Sequence, residues 1–419
     1  MEKIQYQGGI EMKSISKSPN IRMVHSDIRG PIYEESLRLK ARGIDVLRLN
    51  TGNPGNFGFE LPNSLRDALL KELDTAVPYC DAKGLPDTRQ AIADYHNQQK
   101  HFPHVSVDDI FIGNGVSELV QMSLSALLGS GDEILVPMPN YTIWSNSAYI
   151  AGAKVVHYMC DEEAGWLPDI QDIRAKINSK TKAILIINPN NPTGVLYPKQ
   201  ILLDVLQVAR ENELVVFSDE IYDRLVMDGL THHSCAALAP DLFVVTMNGL
   251  SKSHIVCGFR CGWMVLSGPK AHAADYIQGI CQLASLRLCS NTLSQIIIPA
   301  ALSDRESTQR MIEPGGRLFE QRAATLQELR KLEPLGVTFV EPCAAFYLFP
   351  KIDVKRYNIT DDTKFCLDFL REKHIMLING TGFDWHEPNH VRIIMLPEPK
   401  KLAWAIQELG DFLQTYRQE

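Results

Sequence analysis

Lys252 lies in the run Asn248 to Arg260 (N-G-L-S-K-S-H-I-V-C-G-F-R), among small residues and eight positions ahead of Arg260. A lysine amine can join a carbonyl as a Schiff base, provided it is unprotonated when it attacks. The planar guanidinium of Arg260 offers a bidentate clamp for a phosphate beside that amine. Three upstream segments supply what a pyridoxal phosphate (PLP) ring would need around it. In Ile186 to Gly194 (I-I-N-P-N-N-P-T-G) an apolar run breaks into a turn, where Asn191 can donate to a ring phenolate. In Leu214 to Tyr222 (L-V-V-F-S-D-E-I-Y) a buried-strand run ends on Asp219, with Tyr222 three residues on. A carboxylate facing the pyridine nitrogen keeps it protonated and makes the ring an electron sink. Tyr222 can bond the same phenolate oxygen as Asn191. In Phe111 to Glu118 (F-I-G-N-G-V-S-E) a strand turns through Gly113 and Gly115 into an apolar helix. Its free backbone N–H groups and the Ser117 hydroxyl make an anion site at a helix N-terminus.

Each segment also has an ordinary structural reading. The Asn/Pro run serves as a plain turn, and an aspartate ending a strand often caps a turn or helix. Gly113-x-Gly115 alone also suits a nucleotide-binding dehydrogenase, but the third glycine of that fingerprint is missing. A dehydrogenase leaves Lys252, Asn191 and Asp219 without a task. The four segments in this order point instead to PLP chemistry.

The same residues resemble the class I/II aminotransferases of fold type I, from about Asp27 to the C-terminus. The resemblance implies that Lys252 is the aldimine lysine and general acid/base, with Ser251 beside it, and that Asp219 faces the pyridine nitrogen. It assigns Asn191 and Tyr222 to the ring oxygen, and the turn at Gly115, Val116 (through its N–H), Ser117 and Arg260 to the phosphate. Tyr141, in Pro137 to Trp144 (P-M-P-N-Y-T-I-W), matches the aromatic that stacks on the ring. Tyr79, in the run starting Y-C-D-A-K-G, matches the tyrosine that reaches the phosphate of a neighbouring subunit, which implies a homodimer. Arg392, in His390 to Pro397 (H-V-R-I-I-M-L-P), and the backbone at Gly52, in Leu49 to Pro54 (L-N-T-G-N-P), match the groups that take the substrate α-carboxylate. Two departures stand out. Gly249 replaces a common serine three residues before the lysine, and Ala344-Ala345 replaces the usual Gly-Ala.

Within the family, several stretches are similar to bacterial alanine transaminases of the glutamate–pyruvate type. They start at Asp27 (D-I-R-G-P), Asn53 (N-P-G-N-F-G-F), Gly113 (G-N-G-V-S-E-L), His157 (H-Y-M-C-D-E) and Arg260 (R-C-G-W-M-V-L-S-G-P). This implies ping-pong transamination between L-alanine/pyruvate and L-glutamate/2-oxoglutarate. The alternatives are a broader aminotransferase (aromatic, valine or methionine donors) and a PLP-dependent C–S β-lyase. Ser26 stands where relatives would carry an aromatic. Arg29, or failing that Arg287, is a candidate for a second substrate carboxylate.

Around these motifs, apolar runs alternate with helical patterns, which implies an α/β fold with a mostly parallel central sheet. The expected strands are 46–50, 111–112, 133–137, 153–157, 182–188, 215–218 and 243–247, and a helix should follow Gly30-Pro31 to about Arg42. Further on, 337–342, 346–350 and 391–396 read as antiparallel strands. The expected layout is an N-terminal arm over 1–26, a large cofactor domain over 65–305, and a smaller α+β domain from 27–64 and 306–419. Ligands in such folds sit at the carboxyl ends of strands.

Composition narrows the classes. A net charge of −8, without a basic stripe, argues against a nucleic-acid partner. Nine irregularly spaced cysteines with no C-x-x-C pair suit reduced thiols in the cytoplasm rather than disulfides or zinc. His386 and His390 have metal-ligand spacing, but Pro388 between them breaks a shared helix face, so no metal is expected. No stretch approaches the roughly 18 apolar residues of a membrane span, and the first dozen residues lack a secretory core. Met12 is a candidate native start.

Overall fold

The computed structural model describes residues 3–5, 11–25 and 27–419; Ser26 lies outside them. Near the N-terminus β1 (Lys3–Gln5) pairs antiparallel with β2 (Glu11–Lys13), and β3 (Leu47–Arg48) follows the helix Pro31–Ala41. The central sheet uses β4 (Ile110–Asn114), β5 (Glu133–Met138), β6 (Lys154–Asp161), β7 (Leu167–Pro168), β8 (Thr181–Ile187), β9 (Val215–Asp219), β10 (Val244–Gly249) and β11 (Cys261–Ser267). These eight strands lie in the order β4-β11-β10-β9-β8-β5-β6-β7. Neighbours from β10 through β9, β8 and β5 to β6 run parallel. β11 is antiparallel to both β10 and β4, and β7 is antiparallel to β6.

Side chains alternate between the two faces of each strand, so each strand feeds two cores. Ile184, Ile186, Val216 and Val244 join one cluster, while Leu185, Ile187, Phe217 and Val245 join the other. Helices cover both faces, among them Lys199–Glu211 against the first cluster and Val116–Leu127 against the second. Double coverage explains why these strands read as continuous apolar runs.

β11 is a strand that the sequence reading did not list. Gly258, Arg260 and Gly262 give the start of that segment the look of a loop, yet its seven residues are all buried. It returns the chain antiparallel, so Arg260 arrives at the edge where β4, β8, β9 and β10 end.

Apart from the two sheet-face clusters, a second region has its own core, which draws on Ile32, Leu39 and Leu49 from the front of the chain, on Ile221 to Met227, and on residues from Leu318 to Leu413. Its strands are short: β12 (Val337–Thr338), β13 (Tyr347–Leu348), β14 (Lys351–Ile352), β15 (Ile375–Met376), β16 (Ile378–Asn379) and β17 (Val391–Ile394). β13, β17 and β16 form an antiparallel sheet, β12 pairs with β14, and β15 pairs parallel with β3. The expected antiparallel strands are present but shorter than expected, and β14, β15 and β16 are additional. Pairs two residues long depend on distant neighbours more than on local pattern. No helix among the described residues is long and apolar enough to cross a membrane.

Candidate active site

The carboxyl ends of the parallel strands open into a cavity of about 350 Å³. Lys252, Ser251, Asp219, Tyr222, Asn191, Tyr141, Val116, Ser117, Arg260, Gly52, Arg392 and Arg29 all line it. A larger cleft of about 1080 Å³ is lined by Lys100, Asp223 and His232 among others, and by none of these candidates.

At one end is an anion cradle. Gly115 caps the helix Val116–Leu127 with φ +79° and no side-chain cap, so the first N–H groups stay free. A Cβ at Gly115 would run into the Arg260 guanidinium, and one at Gly262 would lie 2.6 Å from the Val116 nitrogen. Glycines therefore keep the helix end open to a ligand. Arg260 is left-handed at φ 55° and donates from Nη1 to the Cys257 carbonyl at 2.9 Å. Gly115 itself lies behind Arg260 rather than on the cavity wall.

In the middle, Asp219 ends β9 and is buried. Its Oδ2 accepts the Trp144 indole N–H at 3.0 Å, and its Oδ1 accepts the Ile221 N–H at 3.3 Å. Burial pushes its pKa up to about 6, and these two donors only partly oppose the rise. A buried carboxylate with no cation beside it favours a cationic ligand. The Tyr222 hydroxyl lies 2.9 Å from that of Tyr347 and 3.5 Å from Asn191 Nδ2. Burial holds the Tyr222 phenol well above its ordinary pKa, reinforced by Tyr347. Lys252 sits in the short turn Leu250–Ser253 directly after β10, and its Nζ donates to the Gly52 carbonyl at 2.8 Å.

At the far end, Arg392 projects from β17 and is only 2% exposed. Its guanidinium lies between the rings of Phe383 and Tyr347, 4.4 and 4.8 Å from their centroids. Nη1 donates to Asn191 Oδ1 at 3.0 Å and Nη2 to the Asn50 carbonyl, while Nε has no partner. Burial lowers its pKa from the usual value. No carboxylate pairs with it among the described residues. A buried guanidinium in that state is a receptor for a carboxylate.

Two candidates lie elsewhere. Arg287 is outside the cavity, bound to Glu118 at 3.2 Å and to the Ile112 carbonyl at 2.7 Å, so it is corrected as a candidate for substrate contact. Tyr79 is 79% exposed and does not line the cavity of its own chain. Conversely, Trp144 and Tyr347 were missed. Trp144 closes the run quoted for Tyr141, and a buried indole N–H needs an acceptor. Tyr347 carried only a strand signal. Its hydroxyl packs so closely on Gly52 that a Cβ there would lie 2.5 Å away.

A flat heteroaromatic ring bearing a phosphate fits these groups: phosphate in the cradle, ring nitrogen toward Asp219, and a substrate carboxylate toward Arg392. The profile of the family described as aminotransferase class I and II matches residues 44–409. The chain is 50% identical over 407 residues to a glutamate-pyruvate aminotransferase AlaA of Haemophilus influenzae, covering 97% of this chain and 100% of that protein. An aminotransferase crystal structure from Escherichia coli superposes with a TM-score of 0.95 at 47% identity, covering 97% and 100% of the two chains. An alanine aminotransferase from Pyrococcus furiosus superposes at 0.90 with 36% identity, covering 95% and 100%.

Proposed function

This chain belongs to the class I and II aminotransferases, and on that premise we propose that it exchanges amino groups between L-alanine/pyruvate and L-glutamate/2-oxoglutarate. The supporting observation is one cavity that joins the Lys252 amine, the buried Asp219 carboxyl and a buried Arg392 without an acidic partner. The names of the relatives, glutamate-pyruvate and alanine aminotransferases, support the substrate pair.

Pyridoxal 5′-phosphate, when bound, supplies an aldehyde and an electron-withdrawing ring. Val116 through its N–H, Ser117 and Arg260 would hold the phosphate, Ser251 would contact the cofactor beside Lys252, and Tyr141 would face the ring. Asp219 would keep the ring nitrogen protonated, while Asn191 and Tyr222 would bond the ring oxygen. Arg392 and the Gly52 backbone orient the α-carboxylate, so that the α-hydrogen points at Lys252. The Lys252 amine, once the substrate amine has taken its place, would accept that proton on Nζ and return it, as general acid, to the carbon that was the aldehyde. Arg29 at the cavity wall receives the side-chain carboxylate of glutamate. The first oxo acid leaves before the second binds at the same groups, with the amino group retained on the enzyme in between, so the kinetics are ping-pong.

The active unit is a homodimer in which Tyr79 reaches the neighbouring phosphate. Exposed Leu73, Val77, Tyr79, Leu288 and Leu293 support it. Thr292 joins the segments that carry them by donating to the Ala76 carbonyl at 2.6 Å. Single exposed apolar residues are ordinary, but a cluster marks an interaction face. The two sheet-face clusters, mostly from 65–305, and the third cluster, mostly from 27–64 and 306–419, support a large and a small domain with those bounds. Nine unpaired cysteines support a cytoplasmic setting.

A panel of single amino acids with pyruvate or 2-oxoglutarate tests the substrate pair. L-Alanine with 2-oxoglutarate should be turned over fastest; ammonia release from cystathionine would indicate a β-lyase instead. Borohydride reduction of the holoenzyme should leave the cofactor label on Lys252. Lys252→Ala should bind PLP yet lose turnover, and wild-type activity in that variant would defeat the reading.

A further inference from the structure

His390 has no role in the reaction described so far, yet it is fully buried. Its ring stacks on Phe349 at 4.7 Å and 15°, with Trp166 and Trp385 edge-on at 5.2 and 5.3 Å. Its Nε2 lies 3.2 Å from Glu162 Oε1, and a carboxylate only accepts, so the ring N–H donates. The other oxygen of Glu162 takes the Lys351 ammonium at 2.8 Å.

Glu162 and Trp166 belong to the turn between β6 and β7, at the edge of the central sheet. His390 and Lys351 come from the C-terminal part of the chain, where their backbones bridge each other. His390 also directly precedes β17, the strand that carries Arg392. Positions two apart on a strand share a face, so His390 and Arg392 both point toward the central sheet. Arg392 there meets Asn191, on the loop after β8. Besides its pairing with β13 and β16, this stretch is thus tied toward the central sheet through His390–Glu162 and Arg392–Asn191, and only the second link is inside the cavity.

We propose that Glu162 and His390 form a positioning clamp that sets where Arg392 lies over the cavity, and hence how tightly the substrate α-carboxylate is held. The inference rests on the reading of Arg392 as the α-carboxylate ligand. Both the amino acid and the oxo acid present that carboxylate, so the clamp acts on both half-reactions. It touches neither the cofactor groups nor Lys252, so it acts on binding rather than on proton transfer.

Glu162→Gln removes the charge that holds Lys351, and His390→Phe keeps the stack but removes the donor. In the holoenzyme each should raise KM for the amino acid and the oxo acid on the order of tenfold, below the roughly 10²-fold cost of an ångström's misplacement. Each should leave kcat within about twofold, the pattern of lost uniform binding. The double variant should be no worse than the poorer single one, because both remove the same link. Wild-type KM in Glu162→Gln, a fall in kcat alone, or additive effects would overturn the clamp. If His390→Phe does not fold, Glu162→Gln decides. Arg392→Ala measured alongside separates the two readings. Unchanged KM there overturns the carboxylate assignment and the clamp with it, whereas raised KM there with wild-type clamp variants overturns the clamp alone.

Discussion

Asp219 concentrates the electrostatics of the cavity. In the chain without its cofactor the folded state holds this carboxyl protonated up to about pH 6, against an ordinary pKa of 3.8. The folded form therefore binds a proton that the unfolded form releases, and stability falls as pH rises between those values. The full loss is ~3 kcal/mol, reached once pH passes the folded pKa. Cofactor-stripped Asp219→Asn should lack this loss, so its thermal stability relative to the stripped parent should rise across that window. Glu220, also pushed up to about 7 by burial, remains in both proteins and cancels from the difference. A constant difference between the two melting profiles would show that Asp219 does not titrate there. The holoenzyme should not show the effect, because a protonated ring nitrogen replaces the missing cation.

The turns after the strands decide what the cavity can hold. Gly115→Ala forces a side chain onto a left-handed backbone and into Arg260, a strain of roughly 1–3 kcal/mol. Cofactor affinity, followed by cofactor absorbance during dialysis, should weaken by about tenfold or more. Affinity equal to the parent would mean the cradle lies elsewhere. These turns were readable in the sequence because each follows an apolar run; those at Ser117, Asn191 and Lys252 also carry a Gly, Pro or Asn signal, and that at Asp219 a carboxylate directly after the run. Asn191, Asp219, Ser117 and Lys252 thereby declared their place at the strand ends, where they line one cavity. Trp144 and Tyr347 did not, because their partners lie 75 and 125 residues away and no local pattern announces a tertiary bond. β11 was missed for a related reason: the turn glycines at its start hide seven buried residues, and an antiparallel return is not a strand–helix repeat. The two-residue strands of the second core are shaped by their neighbours in the same way.

For the molecule as a whole, the proposed crossing of Tyr79 predicts complementation between two dead chains. Tyr79→Ala and Lys252→Ala, each weak or inactive alone, should regain activity when co-expressed, because the mixed dimer contains one intact site. Mixed dimers as inactive as their parents would place Tyr79 outside the neighbouring site. The cavity also has a history written into its wall. Its middle groups, Asn191, Asp219, Lys252 and Arg260, come from the interior of the chain, whereas Arg392 stands within the last thirty of 419 residues. A ribosome moving from the amino end therefore makes every group proposed for the vitamin before it makes Arg392, the guanidinium proposed for the α-carboxylate. Translation halted ahead of β17 would yield a polypeptide equipped for the coenzyme yet unable to recognise what that coenzyme is meant to transform.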